Sequence, residues 1–149
     1  MLLAVAAAAV KVCALLTAAD IVAVQGERPT KAREWRPRHD DSRCYFALPT
    51  AAKSVSLQVT RGPLATEFAD RLRVAAETEG EEAGEHEEPA VQRVPGVGDE
   101  AYWAGSGGGL YVRRGETLLR ITLGGEESKE AKLSKLRILA GRALSRLPK

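Results

Sequence analysis

Apolar and polar side chains alternate along Thr117-Leu118-Leu119-Arg120-Ile121-Thr122-Leu123. A period of two puts Leu119, Ile121 and Leu123 on one face of a strand and Arg120 and Thr122 on the other. Leu110-Tyr111-Val112-Arg113-Arg114 alternates in the same way, with Leu110 and Val112 inward. Gly115, between the two runs, supplies the positive φ of a tight hairpin turn. Glu100-Ala101-Tyr102-Trp103-Ala104 predicts a third strand. It is entered through the turn Pro95-Gly96-Val97-Gly98 and left through Gly105-Ser106-Gly107-Gly108-Gly109. Residues 94–123 thus predict an antiparallel meander, with Val91-Gln92-Arg93-Val94 as a short strand before it.

Upstream, Lys53 to Thr60 gives the cleanest alternation: Val55, Leu57 and Val59 inward, Ser54, Ser56, Gln58 and Thr60 outward. One apolar and one polar face argue for an antiparallel sheet covered on one side. Arg43 to Leu48 is a further strand, with Cys44, Phe46 and Leu48 sharing a face. Between these strands the period lengthens. Leu64, Phe68, Leu72 and Ala75 recur at helical spacing over 64–76, behind a Gly62-Pro63 break. Leu133, Leu136, Ala140, Ala143, Leu144 and Leu147 form the stripe of a last helix, capped by Ser128 and ended by Pro148. Lys132, Lys135, Arg142 and Arg146 fall mostly away from that stripe. Near the start, Thr17 and Asp20 form a capping box, with Leu16 and Ile21 as its staple and Gly26 as the C-terminal stop. Residues 27–42 are polar, carry two prolines and show no period, so they read as a loop. The predicted order is α-β-β-α-(β)-β-β-β-α. This is an α+β fold in which an N-terminal, a middle and a C-terminal helix pack an antiparallel sheet.

At 149 residues, 44% hydrophobic and 28% charged, the chain suits one globular domain and neither a disordered tail nor a membrane bundle. Met1 to Ala9 reads as a secretory signal-like segment with Ala7-Ala8-Ala9 as a small-residue cleavage site. An apolar helix start or a membrane anchor are the competing readings. Residues 10–149 form the domain, with no transmembrane span in the mature chain. The net charge of +2 hides an uneven distribution. Residues 77–88 hold seven acidic residues and no base, and an acidic flexible loop is expected over 77–90. Lys129 to Lys149 is basic, broken only by Glu130. Such runs are ordinarily solvated surface. Cys13 and Cys44 are the only cysteines, which suggests one disulfide in an exported chain or two buried thiols in a reducing compartment.

Candidate chemistry is sparse. His39 and His86 both sit in polar loops, where nothing positions a general base, and no Gly-x-Ser-x-Gly elbow occurs. No catalytic residue is assigned. His39-Asp40-Asp41 and His86-Glu87-Glu88 are adjacent residues that diverge instead of converging on an ion, so no metal and no cofactor is expected. Gly105–Gly109 precedes a strand and not a helix, which argues against a phosphate loop. Asp99 reads foremost as a turn cap. Together with Tyr102, Trp103, Arg120 and Trp35 it forms the candidate binding surface. Trp35 among Arg33, Arg36 and Arg38 also admits contact with a polyanion.

The segments CALLTAADIVAVQGE, Arg43-Cys44-Tyr45-Phe46 and Gly96-Val97-Gly98-Asp99-Glu100-Ala101-Tyr102-Trp103 resemble those of small exported bacterial domains of unknown function, similar to actinobacterial lipoprotein domains. The likeness runs from about Cys13 to Leu147. It implies export to the periplasm, cell envelope or exterior, a Cys13–Cys44 disulfide and a sandwich similar to the PsbP/Mog1 type. The expected function is a non-enzymatic exported binding or interaction module, its partner an unidentified protein or cell-envelope component. It would act through the sheet face of Ser56, Gln58, Arg120 and Thr122 or the loops near Trp103, and an exposed aromatic cluster there would favour it. The alternatives are a polyanion binder using basic loop 28–43 and the basic C-terminal helix, though with no specific nucleic acid, or an enzyme of unrecognised reaction.

Overall fold

Two antiparallel meanders lie side by side in one sheet. The first is β1 (Lys31–Arg38), β2 (Asp41–Ala47) and β3 (Val55–Arg61); the second is β4 (Val91–Arg93), β5 (Glu100–Ala104), β6 (Gly109–Arg114) and β7 (Thr117–Leu123). The strand order is β1-β2-β3-β7-β6-β5-β4, so β3 and β7 join the two meanders and β1 and β4 are the edges. The computed structural model describes residues 10–82, 90–105 and 109–148. The signal-like segment 1–9, residues 83–89 of the acidic loop and 106–108 of the glycine-rich connection lie outside the described residues.

Alternation decides which face is sealed. Cys44, Phe46, Val55, Leu57, Val59, Leu119, Ile121, Leu123, Leu110, Val112, Ala101 and Trp103 share one face and are all buried. A helical turn (Val12–Leu15), α1 (Ala18–Gln25) and α3 (Lys129–Arg146) cover it through Val12, Leu15, Ile21, Val24, Leu136, Leu139, Ala140 and Ala143. At 25 cal/mol per Å2, each fully buried aliphatic side chain in this layer contributes about 1.5–3 kcal/mol. Thr17 and Asp20 make the expected capping box, and Gly26 closes α1 at φ 75°. The Cys13–Cys44 disulfide ties the N-terminal turn to β2 at a Cα–Cα distance of 5.2 Å.

The middle helix α2 (Pro63–Glu82) lies on the other face. It runs six residues past the expected end at Ala76, through the first part of the acidic stretch, whose Glu and Thr residues are compatible with helix. Its buried positions are Ala65, Ala69 and Leu72; of the expected series Leu64, Phe68, Leu72 and Ala75, only Leu72 is among them. Alanines let the helix approach Leu118 and Tyr111 closely, and Phe68 is displaced to the flank. No described helix is long and apolar enough to cross a membrane.

The largest correction concerns residues 27–42. The loop expected there contains β1, joined to β2 by a two-residue turn at His39-Asp40. All eight β1 residues are exposed, so no apolar period could reveal the strand. Backbone pairing to β2 from Lys31↔Ala47 to Trp35↔Arg43 holds it, with an irregularity before Arg38 where Pro37 lacks a donor.

Candidate functional site

The face that carries α2 is only partly covered. Across it runs one register row, Trp35–Arg43–Gln58–Arg120–Tyr111, contributed by five adjacent strands from β1 to β6. Strand spacing of about 4.8 Å places Arg43 and Arg120 about 10 Å apart at the backbone, with Gln58 between them. The next row is Tyr45–Ser56–Thr122. These side chains floor a groove walled by Leu64 and Phe68 of α2 at one end and by Trp35 at the other. The part under α2 has a volume of about 440 Å3, within the range of small-molecule sites. The adjoining part, lined by Trp35, Ser56, Gln58, Arg120 and Thr122, adds about 160 Å3.

The protein's aromatic residues divide cleanly between core and groove. Phe46, Tyr102 and Trp103 are buried. Trp35, Tyr45 and Phe68 are each close to 40% exposed, Tyr111 is half-buried, and all four lie on or beside the groove. Phe68 and Tyr111 stack at 5.5 Å between ring centroids. Arg33 lies over the Trp35 ring at 5.9 Å.

Three arginines line the groove: Arg38, at the rim, lies 3.6 Å from Asp40, and the two on the floor differ. Arg43 is spoken for: its Nε and Nη2 donate to the buried Asp41 carboxylate at 3.4 and 3.0 Å. Gln58 Nε2 donates to the same carboxylate at 3.0 Å, so Asp41 is neutralised locally. Arg120 has no such partner. Its guanidinium rests 5.4 Å from the Tyr111 ring centre, its Nε is buried without a hydrogen bond, and no described carboxylate pairs with it. A buried donor left unmade costs about 1–3 kcal/mol.

The five residues named as a binding surface do not stay together. Arg120 and Trp35 meet in the groove. Tyr102 occupies the same row beyond Tyr111, but α2 buries it and its hydroxyl has no partner; burial pushes its pKa up. Trp103 points into the opposite, sealed face. Both are therefore core residues, not surface ones. Asp99 is at the far turn, where Oδ2 accepts the Gly115 N–H at 2.8 Å and an Arg113 nitrogen at 3.4 Å. It caps the β6–β7 hairpin, a neighbouring turn rather than its own. Gly98 makes this approach feasible: a Cβ there would sit 2.5 Å from Val112 Cγ1.

Tyr45, Tyr111, Arg43, Asp41 and Phe68 are groove residues that the sequence reading did not single out. The signal for Tyr45 and Tyr111 was their phase. Each is an aromatic out of step with apolar neighbours, Cys44/Phe46 and Leu110/Val112.

Among the described residues, no three His, Cys, Asp or Glu side chains converge on a common point. Arg33 and Trp35 face the groove side, whereas basic α3 lies on the opposite layer. Comparison with protein-family models, with curated proteins and with solved structures finds no match.

Proposed function

We propose that this chain is a non-enzymatic, exported binding module that receives its ligand in the groove between α2 and the open half of the sheet. One observation carries the reading: every aromatic side chain that is not buried lies on this face, around a row of polar groups. Exposed aromatics beside a few placed polar groups are the composition of recognition surfaces. Export is supported by the Cys13–Cys44 disulfide, which persists in oxidising compartments, and by the signal-like start.

A panel of small aromatic fragments titrated into isotope-labelled protein tests the site. Amide shift changes are expected to cluster at Trp35, Tyr45, Gln58, Tyr111 and Arg120. Changes scattered over α3 or the Asp99 turn would refute the groove. Intact mass after thiol alkylation, with and without prior reduction, tests export in the native host. Alkylation of both cysteines without reduction would count against it.

A further inference from the structure

The geometry points to the chemical class of the ligand. We propose that the groove takes an amphipathic oxyanion, with a carboxylate, sulfate or phosphate head held by Arg120 and a flat apolar body laid against Tyr111, Phe68 and Trp35. This rests on the groove reading above and narrows it.

Every charged side chain lining the groove other than Arg120 already has a partner: Arg38 lies 3.6 Å from Asp40, and Arg43 pairs with Asp41 at 3.0 Å. Asp41 is the acid of the groove, and Arg43 and Gln58 consume its acceptors. Its charge is thereby matched, and it does not offset Arg120. The Arg120 guanidinium brings five donors in a planar fork; its Nε is buried without a hydrogen bond, and among the described residues none supplies the other donors with an acceptor. Tyr111 fixes one side of its plane by a cation–π contact. The fork is thus oriented before any ligand arrives, which lowers the ordering cost of binding. A planar fork favours a bidentate oxyanion. Around it lie Phe68 and Tyr111 on one side and Trp35 on the other, surfaces that suit rings better than a hydrated inorganic ion. Ser56, Gln58 and Thr122 leave hydroxyl and amide groups for the ligand's remaining polar atoms.

Two dyes sharing one aromatic body separate the parts: anilinonaphthalene sulfonate, whose sulfonate is the oxyanion, and uncharged phenylnaphthylamine. The sulfonate dye is expected to bind one equivalent of native protein more tightly than the neutral dye. Arg120→Gln should weaken it by about tenfold or more, the scale of a charge-assisted hydrogen-bond pair, and leave the neutral dye unchanged. Arg142→Gln on α3 removes the same charge from the opposite layer and should alter neither. Naphthoate should displace the dye, and inorganic phosphate at equal concentration should not. Near-UV circular dichroism of each variant establishes that the fold is retained. If both dyes bind equally and Arg120→Gln changes neither, the oxyanion assignment falls while the groove stands. If phosphate alone displaces the dye, the apolar body is wrong. If neither dye binds and the fragments also miss the groove, the underlying reading fails with it.

Discussion

Asp20 shows how one residue can serve two elements. Its Oδ2 accepts the Thr17 N–H at 2.8 Å to complete the α1 cap, and it also accepts from Arg146 Nη1 at 2.7 Å near the end of α3. The same arginine nitrogen donates to Leu15 O. Partial burial raises the Asp20 pKa, but the Thr17 and Arg146 hydrogen bonds outweigh it, and the net shift is downward from 3.8. A folded-state pKa below the unfolded one stabilises the fold above the unfolded value. That contribution fades as pH falls through the folded value. Asp20→Asn is therefore expected to cost about 1–3 kcal/mol at neutral pH, from lost charge-assisted hydrogen bonds. The gap between the proteins should close below about pH 4. Urea unfolding at several pH values measures it, and a gap independent of pH would contradict the charge argument. The capping role of Asp20 was legible from its spacing to Thr17. Its pairing with Arg146 was not, because 126 residues separate the two.

Elements with their own period were read correctly, and those stabilised only by neighbours were not. Leu119, Ile121 and Leu123 announce β7 because each alternate position is buried. In β1 no position is buried, so its place follows from the hydrogen-bonding edge that β2 offers. In α2 the choice between Phe68 and Ala69 as the buried position depends on how near the sheet lies, which spacing alone does not encode. The groove depends on both errors: it needs β1 to supply Trp35 and α2 to turn Phe68 outward. The disulfide acts at this scale too. It closes a segment of 31 residues that includes α1 and β1, and Glu34 on β1 accepts the Cys13 N–H at 3.1 Å. Replacing both cysteines by serine should cost about 3–4 kcal/mol on the chain-entropy account. Denaturant unfolding of the oxidised parent against the variant gives the number. A loss below about 1 kcal/mol would mean that the unfolded chain is already restricted in this region.

On the scale of the whole molecule, α2 packs on the face whose polar positions predicted a sheet covered on one side only, but the sealed face was legible from alternation, and so were the three helices. What α2 leaves uncovered was not, since it depends on how the helix crosses the sheet. The sheet also stays open: it never closes on itself, and it ends at β1 and β4. Unpaired strand edges invite pairing with other chains. The three residues of β4 offer little to pair with, but the eight of β1 offer a full template. That template carries Lys31, Arg33, Arg36 and Arg38 against the lone acid Glu34, and Pro37 interrupts its donors. Two such strands brought together would repel and misalign, so the composition of β1 disfavours edge-to-edge pairing. Exchanging Arg33→Thr, Arg36→Thr and Pro37→Val together is expected to raise the weight-average mass with protein concentration in light scattering while the monomer keeps its fold. An unchanged mass would place the barrier to self-association elsewhere. The feature that hid β1 from the sequence reading, a strand without an apolar side, is thus also what disfavours the joining of two open edges.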